Sequence, residues 1–128
     1  MIVKHPILTN RLRRVPKSFS WLDHRLVSDK HIDKCSHASA ALYLFLVCVG
    51  DDKGLSYYGD KSIMHKLSMD EQALQNARSN LIKNCLIAWQ KPIYQVLDLK
   101  PMFSHSRERG ATMSIGDILK GAMEANYD

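Results

Sequence analysis

Apolar residues recur at steps of three and four between residues 68 and 85, which is the spacing of one face of a helix. Leu74, Ala77, Leu81 and Cys85 form this apolar stripe. The polar residues of the same stretch fall on a second stripe, which consists of Gln72, Gln75, Asn76, Ser79 and Lys83. The pattern predicts an amphipathic helix with one face packed on a core and another that presents hydrogen-bonding groups.

Both ends of this helix carry a sequence signal. Ser68 and Glu71 have the spacing of a capping box, in which each side chain accepts a hydrogen bond from the other residue's amide. Asn84 is a residue type that readily adopts the left-handed conformation at which many helices end. The sequence therefore predicts a helix that is capped at Ser68 and stops at Asn84.

A short hairpin is predicted directly after the helix. Residues 86–89 and 93–97 have strand composition and flank a turn at residues 90–92. Strand alternation places Trp89 and Tyr94 where at least one ring must be partly exposed, and we expect both rings to stabilise the fold. Residues 55–58 are predicted to add a third strand.

The first half of the chain supplies the elements on which this unit packs. Ser36 is a suitable cap for a helix that runs to Gly50 and is apolar nearly all round, so it is predicted to be the central buried helix. A shorter helix is predicted to start at Asp60 or Ser62 and to end near Leu67. Between residues 19 and 34 a short helix or turn is expected to bury some of the large apolar side chains, namely Phe19, Trp21, Leu22, Leu26 and Val27.

The two ends of the sequence lack such a pattern. Residues 1–17 show no clean periodicity and are interpreted as a loosely ordered basic arm, and residues 100–113 have linker composition. Residues 114–128 predict a short amphipathic helix or tail. Its apolar stripe consists of Ile115, Ile118, Leu119, Ala122 and Met123. We expect this stripe either to fold back on the core or to bind a partner, which is another protein or a second copy of the chain in a homodimer.

The sequence of residues 54–99 resembles a known domain. The short helix before Leu67, the capped helix and the passage NLIKNCLI are similar to the winged helix-turn-helix of bacterial, phage and mobile-element replication and regulatory proteins. The resemblance extends back to Phe19. It implies a mainly α domain with a small antiparallel β-hairpin (α+β) over residues 18–99, and it implies double-stranded DNA binding in transcription regulation, replication or a mobile element. Similar patterns occur in winged helices that bind only proteins, so an adaptor within a replication, transposition or partition complex is the alternative.

The resemblance also implies which residues contact DNA. The helix from Ser68 would enter the major groove, where amide side chains can read adenine edges and basic side chains can hold phosphates. The candidate base contacts are Gln72, Gln75, Asn76 and Ser79, and the candidate phosphate contacts are Arg78, Lys83 and, at the tip of the wing, Lys91. Two features favour other interpretations. Polar amides also occur on ordinary solvated helix faces, and Asp70 and Glu71 in the first turn would face phosphates.

The charge of the chain is concentrated in its first quarter. The net charge is +5, and residues 1–34 hold eight basic and three acidic residues, whereas the remainder holds ten of each. Arg11, Arg13 and Arg14 in the arm can follow phosphates or enter a minor groove. A solvated terminus with no binding role is the other interpretation, and the sequence does not decide between the two.

No catalytic or metal-binding pattern is present in the sequence. His24, His31, Cys35 and His37 lie close together, but their spacing matches no known zinc motif. No glycine-rich phosphate-binding loop is present, because Gly50 and Gly54 flank acidic residues that would repel phosphate. No nucleophilic residue can be assigned together with a base and a residue that orients that base. We therefore expect neither an enzyme nor a cofactor.

Composition adds an expectation about the cellular environment. No apolar run reaches the ~20 residues of a membrane span, so a soluble, cytoplasmic protein that does not enter the membrane is expected. The cysteines have no CxxC spacing, and Cys48 and Cys85 lie on predicted buried faces. They are interpreted as reduced thiols in the core.

Overall fold

The computed structural model describes residues 2–99, which fold into four α-helices and a three-stranded antiparallel sheet. In chain order the elements are α1 (Arg25–Ser28), α2 (His37–Val49), β1 (Leu55–Tyr57), α3 (Asp60–Leu67), α4 (Glu71–Lys83), β2 (Ile87–Gln90) and β3 (Ile93–Val96). The predicted α+β class is confirmed at this level. The predicted linker and C-terminal helix with its apolar stripe lie outside the described residues.

The sheet has the order β1-β3-β2, so the last strand lies in the middle. A two-residue turn joins β2 to β3, and Tyr94 of β3 lies opposite Trp89 on one side and Ser56 on the other. The predicted hairpin and the predicted third strand are both confirmed. Because β3 bonds to both neighbours, it connects the hairpin to the segment that precedes α3.

The core lies where α2 and α4 pack against each other and against the sheet. Its fully buried side chains include Leu42, Leu46, Ile63, Leu74, Leu81 and Tyr94. The Ser36 cap of α2 is confirmed, because its hydroxyl accepts a hydrogen bond from the Ser39 amide at 3.1 Å. The predicted burial of α2 is confirmed on the face that carries Leu42 and Leu46, but not on the opposite side, where Leu44 is 50% exposed and Cys48 is exposed.

The start of α4 differs from the predicted capping box. Ser68 has φ +54° and ends α3, where its left-handed conformation allows the Met69 amide to donate to the Met64 carbonyl at 3.0 Å. Asp70 is the actual cap, and its carboxylate accepts from the Ala73 amide at 2.7 Å. The prediction is wrong here because Ser68 is needed to stop the preceding helix.

We expect Asp70→Ala to lower the free energy of unfolding by about 0.5 to 2 kcal/mol, because the Ala73 amide loses its acceptor. Ser68→Ala is the matched control and should change stability by much less. Urea unfolding of both variants measures the difference. A larger loss in Ser68→Ala than in Asp70→Ala would instead support the capping box at Ser68.

Helix α4 stops at Asn84 as predicted, but the left-handed conformation predicted for Asn84 is wrong. Asn84 has φ −87°, and the left-handed residue is Cys85 at φ +60°, where the chain turns from the helix into β2. Cys85 and Cys48 are both exposed, so neither is a core thiol. Of the three cysteines only Cys35 is partly buried, and burial raises the pKa of its thiol. Cys48 lies on the exposed side of the last turn of α2, and Cys85 lies beyond the end of α4, so the apolar spacing did not predict the burial of either residue correctly.

Residues 19–34 bury less than their composition indicates. Phe19, Trp21 and Val27 are 62%, 75% and 67% exposed, and Leu26 is the one predicted side chain of this segment that packs against the core. The reason is that α1 is only four residues long, and a single turn can direct few side chains to one side. The predicted short helix is confirmed as α1, and the predicted partial burial of the apolar side chains is limited to Leu26.

A tight loop connects α2 to the sheet. The Asp51 carboxylate accepts hydrogen bonds from the amides of Lys53 and Leu55, both at 2.9 Å, and these bonds lower its pKa, that from Leu55 most. Gly54 has φ +80°, and a Cβ there would lie 2.7 Å from the Val96 carbonyl oxygen. Glycine is needed at this position because the loop passes directly against β3.

Candidate nucleic-acid interface

Helix α4 presents one polar face to solvent, as the sequence predicts. All five side chains of the predicted stripe are exposed, namely Gln72, Gln75, Asn76, Ser79 and Lys83. The opposite face, which includes Leu74, Ala77 and Leu81, is fully buried. The Gln72 Nε2 donates to the Asn76 Oδ1 at 2.9 Å, which orients two amide groups side by side on the exposed surface.

The charge of this surface is slightly negative. Asp70 and Glu71 lie at the start of α4, and Lys83 at its end is the one exposed cation of the helix. The acidic residues stabilise the helix through its dipole, and Asp70 is also engaged as the cap. The face therefore offers hydrogen-bonding groups rather than a basic patch.

Arg78 does not belong to the exposed face. It is 6% exposed, and its guanidinium donates to the Asp60 carboxylate at 2.9 Å and to the Tyr94 hydroxyl at 2.8 Å. The same group lies 3.8 Å from the ring centroid of Trp89. The predicted phosphate contact by Arg78 is corrected: its donors are turned inward and already have partners, so it is a structural residue of the core edge.

The Arg78 cluster, defined as Asp60, Arg78, Trp89 and Tyr94, joins α3, α4 and the hairpin. The Trp89 and Tyr94 rings stack with centroids 5.9 Å apart. Burial raises the pKa of Tyr94 despite the nearby cation. Burial alone would lower the pKa of Arg78, but the bonds to Asp60 and Tyr94 raise it overall, so the guanidinium stays charged. This cluster fixes the hairpin relative to the exposed face of α4.

The remaining predicted contacts lie elsewhere on the surface. Lys91 is exposed in the turn between β2 and β3. Arg11, Arg13 and Arg14 are exposed, and every residue from 2 to 17 is exposed as well. Apart from the 3-10 turn Thr9–Arg11, the arm has no regular structure, and no hydrogen bond or ion pair within residues 2–99 attaches it to α4.

The histidine-rich segment does not converge on a metal site. Among residues 2–99 no group of three or more His, Cys, Asp or Glu side chains is arranged to hold a metal ion. The Cys35 thiol donates instead to the His31 carbonyl oxygen at 3.7 Å. No helix of the described part of the chain is long and apolar enough to cross a membrane.

Sequence reasoning did not identify Asp60 as the partner of Arg78, nor the arrangement of the aromatic rings around it. A signal was present: Arg78 directly follows Ala77 and lies four residues after Leu74, both on the apolar stripe. A cation at that position of a helix is adjacent to the core, and it then needs an acidic or aromatic partner. Nothing in the sequence, however, assigns the partner.

The chain matches no protein-family model, and comparisons with curated proteins and with solved structures gave no match. The function proposed below therefore rests on the geometry of residues 2–99 and on the sequence.

Proposed function

We propose that residues 18–99 form a winged helix-turn-helix domain that binds double-stranded DNA. The order of elements supports this fold: a helix, a strand, two closely spaced helices and a hairpin follow one another from α2 to β3. The sheet order β1-β3-β2 supports it further, because in a winged helix the early strand joins the wing. Three residues separate α3 from α4, as is usual between the two helices of a helix-turn-helix.

The exposed amide row of α4 is the observation that carries the proposed DNA binding. Gln75 and the hydrogen-bonded pair Gln72 and Asn76 present both donors and acceptors on a rigid helix. An amide side chain can bond in two places to an adenine edge in the major groove. Lys83 at the end of the helix and Lys91 at the wing tip are exposed and can contact phosphates on either side.

Electrostatic attraction must come mainly from the arm. With Arg78 paired to Asp60, the exposed charge of α4 is one lysine against two acidic residues. Residues 1–17 contain no acidic residue and five basic residues, namely Lys4, Arg11, Arg13, Arg14 and Lys17. When such a segment binds DNA, it releases counterions from the phosphate backbone, and this release increases the affinity. In this proposal the arm provides affinity and α4 provides sequence preference.

We expect the change of Arg11, Arg13 and Arg14 to Gln to weaken binding to duplex DNA and to reduce its salt dependence. Each lost phosphate contact lowers the slope of log K against log salt by about 0.9, so three contacts amount to roughly 2 to 3. Because these side chains are exposed, the fold should not change. Titration of arbitrary duplex DNA at several salt concentrations measures the slope.

The matched control replaces the same three arginines with Lys, which keeps the charge and should keep most of the slope. Deletion of residues 1–17, which also removes Lys4 and Lys17, should reduce the slope at least as much as the Gln variant does. A slope that is the same in all four proteins would remove the arm from the interface. A wild-type protein with no affinity for duplex DNA at low salt would contradict the proposed function itself.

The second candidate is a winged-helix adaptor that binds a protein in a replication, transposition or partition complex. The acidic start of α4 favours it, since Glu71 is exposed and would repel phosphates. In that case Glu71→Gln should weaken binding of a basic protein partner, and substitutions in the amide row should have no effect on DNA binding.

A cytoplasmic location and a regulatory or replication role belong to the proposal in either form.

A further inference from the structure

A cleft of about 660 Å³ opens on a side of the domain that the proposed function does not use. It lies between residues 19–25, the second half of α2, the loop before β1 and the end of β3. No residue of α3, α4 or β2 lines it. Whatever the cleft binds is therefore separate from the exposed face of α4 and from the turn between β2 and β3.

The walls of the cleft combine aromatic rings with carboxylates. Phe19 and Trp21 are largely exposed along one side, and Tyr43 of α2 lies within. The charged lining residues are four acidic and two basic, namely Asp23, Asp51, Asp52, Asp98, Arg25 and Lys53. This lining would repel phosphates, whereas a segment with both cationic and apolar side chains would fit it.

Not all of these charges are available to a ligand. Asp23 and Arg25 pair with each other at 2.7 Å, and Asp51 is engaged by the loop amides. Asp52 and Asp98 are exposed and make no side-chain hydrogen bond or ion pair within residues 2–99. They are the two carboxylates of the cleft best placed to receive a cation.

The segment that follows Leu99 in the sequence has a composition complementary to the acidic and aromatic lining of the cleft. Residues 97–99 line the cleft, and Leu99 is 6% exposed. The next eleven residues, KPMFSHSRERG, contain three basic residues, one acidic residue and the apolar pair Met102 and Phe103. Phe103 is four residues from Leu99, a span of at most ~14 Å. A tether this short corresponds to an effective concentration on the order of millimolar, which favours this occupant over a separate one.

We propose that the cleft is a docking site for residues 100–110 of the same chain. In the proposed docked state Phe103 would pack against Phe19 and Trp21, and the guanidinium groups of Arg107 and Arg109 would pair with Asp52 and Asp98. The segment then acts as part of the domain surface rather than as the linker that its composition indicates. This inference does not depend on DNA binding.

Fluorine NMR of the full chain labelled with 5-fluorotryptophan tests the proposal, because the chain has only two tryptophans. Trp21 reports on the cleft, and Trp89 in the Arg78 cluster is an internal reference. We expect the Trp21 signal of the wild type to be shielded from solvent, as measured by its solvent isotope shift. Phe103→Ala, or the pair Arg107→Glu and Arg109→Glu, should move it to the value of an exposed indole and leave Trp89 unchanged.

A charge swap makes the test specific. Adding Asp52→Lys and Asp98→Lys to the Arg107→Glu, Arg109→Glu variant should restore the shielded Trp21 signal, and Lys120→Glu should have no effect. The proposal is overturned by a Trp21 signal that is exposed in the wild type or identical in all variants. It is also overturned by shielding that increases with protein concentration, which would assign the cleft to a second copy of the chain.

Discussion

Arg78→Ala is expected to lower the free energy of unfolding by about 2 to 4 kcal/mol. The change leaves the buried Tyr94 hydroxyl without its partner at 2.8 Å and removes the cation from the face of Trp89. Loss of one partner from a buried polar network is among the more damaging kinds of substitution. Since small domains are stable by only about 5 to 15 kcal/mol, thermal or urea unfolding will detect this loss easily.

Lys83→Ala is the matched control, because Lys83 is a cation of the same helix with an exposed side chain. Its loss should change stability by about 0.5 kcal/mol or less. If the two substitutions had the same small effect on unfolding and the same effect on DNA affinity, Arg78 would be a surface phosphate contact after all. The structural role assigned to the cluster would then be wrong.

Trp89→Ala is expected to destabilise the domain by about 2 to 4 kcal/mol, somewhat less than a fully buried Trp, because Trp89 is only partly buried. The change removes the ring that stacks on Tyr94 and that covers the Arg78 guanidinium. Tyr57→Ala is the control, since this ring is on β1, the opposite edge strand of the same sheet, and is 72% exposed. The Tyr57→Ala change should lower the free energy of unfolding by less than about 1 kcal/mol.

The two large effects should not add. Arg78 and Trp89 are in direct contact, so the double variant should lose less stability than the sum of the single variants. A Trp89→Ala protein that keeps its stability and loses affinity for DNA would show instead that this ring contacts DNA.

Local sequence patterns were sufficient to predict α2, α3, α4 and the three strands. Their apolar residues recur at helix or strand spacing, and turn residues separate them. The fine position of the α3–α4 junction was not predictable from the capping pattern alone. Both Ser68 and Asp70 are good cap residues, and the choice depends on where α3 ends. In the structure Ser68 ends α3, and Asp70 is then the cap of α4.

Residues that depend on tertiary contacts were harder to predict. Arg78 lies at the edge of the apolar stripe, and it turns inward only because Asp60, 18 residues earlier, and Tyr94, 16 residues later, converge on it. The exposed amide row was predictable because it needs only helical periodicity. The cleft was not, because its walls come from four separate parts of the chain.

The most direct test of the account is affinity selection from random duplex DNA at fixed salt, followed by titration of the selected site. We expect the wild type to enrich a sequence, and we expect Gln75→Ala or Asn76→Ala to cost about 1 to 3 kcal/mol on that site and little on random DNA. Lys83→Ala should weaken both alike. Failure to enrich any sequence, or a site that both amide variants bind as tightly as the wild type does, would contradict DNA reading by α4.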